Sequence, residues 1–102
     1  MDKNEALKKA LEFSKLVKNY LKFDVAALFG SYVNGTPRDD SDIDVAYFIN
    51  ELDEDLDYYS LMIKLNKLTK GIDSRIEPHV FLNDSKSGFL EIVKSNYEII
   101  NV

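Results

Sequence analysis

The chain has 102 residues, 13 basic and 18 acidic side chains, a net charge of −5 and no cysteine. That length favours one compact domain over residues 1–102, and the missing cysteines exclude disulfides and thiolate metal sites. The opening MDKNEALKKALEF lacks the apolar core of a signal peptide, and no apolar run approaches the ~18 residues of a membrane span, so a cytoplasmic protein without a membrane partner is expected.

The acid is unevenly placed. From Arg38 to Asp57 nine acids face one base, whereas the rest of the chain holds nine acids and twelve bases. No basic stripe with interleaved aromatics occurs, so a broad nucleic-acid-binding face is not expected.

Residues from about Asn4 to Leu21 read as a helix. Ala6, Leu7, Ala10, Leu11, Ser14, Val17, Tyr20 and Leu21 follow the i, i+3, i+4 rhythm, with Asn4 as the N-cap. Phe23 to Phe29 is a short apolar run, read as a buried strand that stops at Gly30. Ser31 to Ser41 is polar and turn-rich, and Ile43 to Ile49 reads as a second strand. An acidic loop from Asn50 to Asp55 leads to a second amphipathic helix, Leu56 to Leu68, with Leu61, Leu65 and Leu68 on one side and Gly71 as its stop. Arg75 to Leu82 is a third strand, and Pro78 inside it predicts an edge or bulge position. Ser87 to Lys94 reads as a last helix and Tyr97 to Val102 as a terminal extended piece. Interspersed strands and helices point to an α/β or α+β layer fold, with a small, mostly three-stranded mixed sheet flanked by helices.

The stretch that carries chemistry is GSYVNGTPRDDSDIDV, Gly30 to Val45. Gly30 has no side chain, so a phosphate chain can approach the backbone, and Ser31 adds a hydroxyl and an amide. A helical turn from Tyr32 would add free amides. Asp42 and Asp44 are two apart at a strand start, so their side chains project from the same face. Paired carboxylates repel unless a cation lies between them, and hard oxygen ligands suit Mg²⁺. Asp40, Asp42, Asp44 and Glu51 fit positions of an EF-hand loop, but Val45 stands where that loop needs glycine. A phosphatase of the haloacid dehalogenase type carries its Asp-x-Asp after an apolar strand, not before one. Gly30 to Thr36 lacks the Gly-Lys-Ser/Thr ending of a P-loop.

Gly30-Ser31, ten residues, then Asp42-Ile43-Asp44 at a strand start resembles the signature of the DNA polymerase β-like nucleotidyltransferases, and in particular of their minimal (MNT) domains. The order of elements matches over most of the chain. The resemblance implies a polymerase β-like nucleotidyltransferase fold and transfer of a nucleoside monophosphate from an NTP, AMP from ATP by preference, to an acceptor hydroxyl. It implies a site with Asp42, Asp44 and a third carboxylate as catalytic and metal-binding residues, holding two Mg²⁺, with Mn²⁺ as the alternative ion. Gly30, Ser31 and Arg38 would face the donor nucleotide. Glu77, on the third strand, is the candidate third carboxylate, with Asp73 as second choice. The family more often has aspartate there, and often an arginine near Asn34. His79, the lone histidine, lies two residues from Glu77 and so on the same strand face; it reads as a partly exposed strand histidine, with contact to substrate or help in proton transfer as the alternative. Larger relatives add a helical acceptor domain that 102 residues leave no room for. A partner or a second copy of the chain would then supply that surface, and the resemblance implies a helical HEPN-type protein as the partner, with this chain as antitoxin. The rival reading is a non-catalytic module that keeps the fold and acts by docking onto a helical partner.

Overall fold

The computed structural model describes residues 1–35, 37–38, 40–50, 57–82 and 96–102. In chain order the elements are helix α1 (Lys3–Val17), strand β1 (Val25–Phe29), the one-turn helix α2 (Ser31–Asn34), strand β2 (Ile43–Ile49), helix α3 (Tyr58–Thr69), strand β3 (Ile76–Leu82) and strand β4 (Tyr97–Ile100). The expected last helix at 87–94 and most of the acidic loop, residues 51–55, lie outside the described residues. No described helix is long and apolar enough to cross a membrane.

The sheet has four strands in the order β3-β2-β1-β4. β1 runs antiparallel to both β2 and β4, and β2 runs parallel to β3. The mixed α/β architecture is as expected, but the sheet is one strand larger. The terminal segment read only as extended joins it as an edge strand, pairing Ala26 to Ile100 and Phe29 to Tyr97. Four residues are too few for periodicity to reveal a pairing partner. Pro78 sits on β3, the opposite edge, where its missing N–H can face away from the sheet.

α1 begins one residue earlier than the rhythm suggests, and its cap lies two residues earlier. Asp2, not Asn4, is its cap, and its carboxylate accepts from the Glu5 amide at 2.9 Å. The helix also ends four residues earlier, at Val17, because Asn19 and Tyr20 donate to Leu16 and Val17 in tight turns. Leu21 is nonetheless buried, so the apolar rhythm outlasts the helix. α3 is capped by Asp57, which accepts from the Tyr59 amide and the Ser60 hydroxyl.

Each strand alternates, so the sheet has two distinct faces. One presents Ala26, Leu28, Ile43, Val45, Tyr47, Ile49, Ile76 and Ile100 to α1 and α3, which contribute Ala6, Ala10, Phe13, Val17, Leu61 and Leu65. Within this core the Ser14 and Tyr47 hydroxyls share a hydrogen bond of 2.8 Å. Burial pushes the Tyr47 phenol above its ordinary range, so it keeps its proton. The other face gathers Ala27, Phe29, Ala46 and Phe48, with Val25 and Phe81 against them. That second face also carries Asp44, Glu77 and His79.

Candidate functional site

The register of three strands builds the site. Phe29 on β1 lies opposite Asp44 on β2, and Asp44 lies opposite Glu77 on β3. His79 pairs with Ala46 one step further along. Strand alternation then turns Asp44, Glu77 and His79 to the same side, at the end of the face where β2 enters the sheet.

Asp42 arrives by a short, fixed approach. The Ser41 hydroxyl accepts from the Arg38 amide at 2.7 Å, and the Ser41 amide donates back to the Arg38 carbonyl at 3.0 Å. The Ile43 amide then donates to the Arg75 carbonyl at 2.8 Å, which seats the start of β2 against β3. Asp42 itself stands exposed just before the strand. Its carboxyl is close enough to Glu77 to share a hydrogen bond, one of the influences on that side chain.

The three acids are in electrostatic conflict. Glu77 is raised above the usual carboxylate value by desolvation, opposed by His79 and reinforced by Asp44 and Asp42. Half of the Glu77 side chain, 52%, is exposed, so the two neighbouring carboxylates are the firmer physical cause. Asp44 and His79 are more enclosed, at 21% and 25%. His79 Nε2 lies 3.3 Å from Asp44 Oδ1 and 4.0 Å from Glu77 Oε1. One potential ligand atom from each of Asp44, Glu77 and His79 lies within 4.8 Å of the others. That donor set, two carboxylates and an imidazole converging from adjacent parallel strands, fits a divalent cation.

Gly30 has a role that its sequence position did not reveal. It caps α2 at φ 80° and ψ −149°, a conformation that side chains rarely adopt. A Cβ on it would fall 2.3 Å from Asp44 Oδ2. The Asp44 carboxylate occupies the place where a side chain at Gly30 would begin. One Asp44 oxygen thus sits over Gly30 and the other faces His79. The single turn of α2 follows, with the Val33 and Asn34 amides donating to the Gly30 carbonyl. Ser31 opens that turn beside the site, and its carbonyl accepts from Gly35 at the other end. Arg38 is exposed, and its described bonds are those of its backbone to Ser41.

Asp73, the second choice for a third carboxylate, is committed elsewhere. Its side chain is only 8% exposed and takes Lys9 Nζ at 2.6 Å and the Arg75 guanidinium at 2.7 and 2.9 Å. The Arg75 guanidinium first, and Lys9 with it, hold that carboxyl well below its usual range despite desolvation. It ties α1 to the turn before β3. His79 is the partly exposed strand histidine that was expected, and it also lies beside Asp44 and Glu77. The available signal was its position two residues after Glu77, which places both on one face.

Residues 12–101 match the model of the polymerase beta nucleotidyltransferase family. No curated protein matches the sequence significantly. Among solved structures, the chain is similar to one in a toxin–antitoxin structure with AMP-PNP, at 23% identity and a TM-score of 0.65, over 93% of this chain and 72% of that one. A mutant MntA–HpeT toxin–antitoxin gives 22% identity and a TM-score of 0.65, over 99% and 73%. A structure of the tri-AMPylated Shewanella oneidensis HEPN toxin in complex with MNT antitoxin gives 22% and 0.59, over 91% and 71%. At these identities the likeness is one of fold.

Proposed function

The chain belongs to the polymerase beta nucleotidyltransferase family, and on that footing we propose that it transfers a nucleoside monophosphate, AMP from ATP, to an acceptor hydroxyl. The observation that carries the reading is the meeting of Asp44 with Glu77 across β2 and β3, with Asp42 at the strand entrance. Three acids held together in this way are unfavourable unless a cation is part of the design.

In the reaction the acceptor oxygen bonds to the α-phosphorus, the α–β anhydride breaks and pyrophosphate leaves. Asp42, Asp44 and Glu77 would hold the divalent cation, Mg²⁺ in the first instance, which supplies charge neutralisation at the phosphates. Gly30 permits this position of the Asp44 carboxylate by leaving room for it. Ser31 offers its hydroxyl to the donor phosphates, and Arg38 reaches them from the exposed loop. Glu77, raised by desolvation and by the neighbouring carboxylates Asp44 and Asp42, would take the acceptor proton.

The acceptor we favour is a helical HEPN-type toxin, with this chain as its antitoxin. Support comes from similar folds in toxin–antitoxin structures, one with AMP-PNP and one with an AMPylated HEPN toxin. Calorimetric titration of ATP with Mg²⁺ tests the site, beside an Asp42→Ala, Asp44→Ala double variant. Binding that disappears in the variant is the expected result. Wild-type protein that binds no ATP, alone or with a HEPN-type toxin added, would sink the enzymatic reading and leave docking as the function. Mass spectrometry of the added toxin after incubation with ATP reports any transferred AMP.

A further inference from the structure

The proposed three-acid centre has a fourth member that it does not use. His79 sits beside the carboxylates with one ring nitrogen toward them: Nε2 is 3.3 Å from Asp44 Oδ1 and 4.0 Å from Glu77 Oε1. Its ring is held on both sides. Phe29 meets it edge-on at 5.1 Å between centroids, and Phe81 lies parallel at 6.1 Å with 1° between the planes. Asp44 has one oxygen in the space that Gly30 leaves for lack of a Cβ and the other 3.3 Å from His79 Nε2.

Metal bonds of about 2.0–2.2 Å to nitrogen and oxygen place neighbouring ligand atoms about 3 Å apart in an octahedron and about 3.4 Å apart in a tetrahedron. The 3.3 Å between His79 and Asp44 already meets that demand, and the 4.0 Å to Glu77 is a side-chain adjustment away from it. Donor chemistry then decides which ion. Mg²⁺ takes oxygen ligands almost exclusively, whereas Mn²⁺ accepts oxygen and imidazole together.

Resting on the metal-centre reading above, we propose that His79 is a direct ligand of the cation held by Asp44 and Glu77, and that its nitrogen makes this site favour Mn²⁺ over Mg²⁺. His79 is then a specificity-determining residue as well as a wall of the site. A histidine that only hydrogen-bonds Asp44 would tighten both ions alike and leave their ratio unchanged.

The test uses the full chain without nucleotide, so it is independent of whether transfer occurs. Mn²⁺ and Mg²⁺ affinities are measured by calorimetry, and pulsed electron paramagnetic resonance on the Mn²⁺-loaded protein reads nitrogen coupling to the ion. The expected result is a directly coordinated histidine nitrogen, confirmed by its isotope shift on ¹⁵N-histidine labelling. In His79→Gln the coupling should disappear and the Mn²⁺/Mg²⁺ affinity ratio should fall about 10-fold or more. Phe81→Leu, which removes the stacked ring and keeps the nitrogen, should retain the coupling and so separates ligation from general disruption of the face. Mn²⁺ bound without nitrogen coupling, a ratio unchanged in a folded His79→Gln, or no Mn²⁺ binding at millimolar ion would each overturn the proposal. If ATP binds with Mg²⁺ while any of those results holds, the nucleotidyltransferase reading stands and the histidine inference alone fails.

Discussion

Two clusters of charge lie a few residues apart on this chain, and they are built on opposite rules. Around Asp73 every charge is answered: Lys9 and Arg75 surround a nearly buried carboxylate, whose pKa falls. Around Glu77 the influences compete: desolvation, Asp44 and Asp42 raise the pKa of a half-exposed carboxyl, and His79 opposes them. Satisfied charge at a junction of elements is what a fold needs to hold α1 against the turn before β3. Unsatisfied like charge costs stability, so it is retained where a ligand is to resolve it. The contrast separates a structural acid from a candidate functional acid only four residues away.

The largest effect should come from removing the competing charge. Asp42→Ala with Asp44→Ala should weaken metal-dependent ATP binding at least about 100-fold, about 2.7 kcal/mol, while the thermal midpoint without metal holds or rises. A midpoint that falls sharply would erase the distinction between the two clusters. Next comes Gly30→Ala. Its Cβ would collide with Asp44 Oδ2 and its φ of +80° is strained for alanine, so a stability loss of about 1–3 kcal/mol is expected, together with weakened ATP binding. Retained affinity would show that the Asp44 position over Gly30 does not matter.

Asp73→Asn tests the satisfied cluster. It should cost about 2 kcal/mol by urea unfolding at pH 7, with ATP affinity of the folded protein unchanged. The folded Asp73 carboxyl titrates below the unfolded one. Its stabilisation is therefore complete above about pH 3.9 and is lost as pH falls through the depressed folded value. The gap between wild type and variant should narrow in acid, and a gap that widens there would refute the ion-pair account. Glu77→Gln gives the smallest change and the opposite sign. Removing a raised carboxyl should stabilise the metal-free protein by at most about 0.5 kcal/mol at pH 7, because half the side chain is exposed and water screens the repulsion.

Much of the fold was legible from short-range pattern. β1 and β2 follow from apolar runs that stop at Gly30 and start after Asp42, and α3 follows from Leu61 and Leu65 spaced for one face. The end of α1 was not, because Leu21 is buried from a turn rather than from the helix. β4 was not, since its partner β1 lies some seventy residues earlier and pairing across that distance leaves no local mark. At the site, the spacing from Gly30-Ser31 to Asp42-Ile43-Asp44 named the candidates, while the fate of Asp73 and the reach of His79 depended on neighbours far away in sequence.

The sequence by itself determined the residue types and their local geometry: acids two apart at a strand entrance, a glycine before a turn, and a histidine two residues past a glutamate. Those are consequences of strand alternation and backbone sterics, which act over a few residues. Only the tertiary structure decided which acid is neutralised and which is left in conflict. Electrostatic environment is set by distance in space, and the parallel register of β2 with β3 brings Asp44, Glu77 and His79 together while Lys9 and Arg75 claim Asp73.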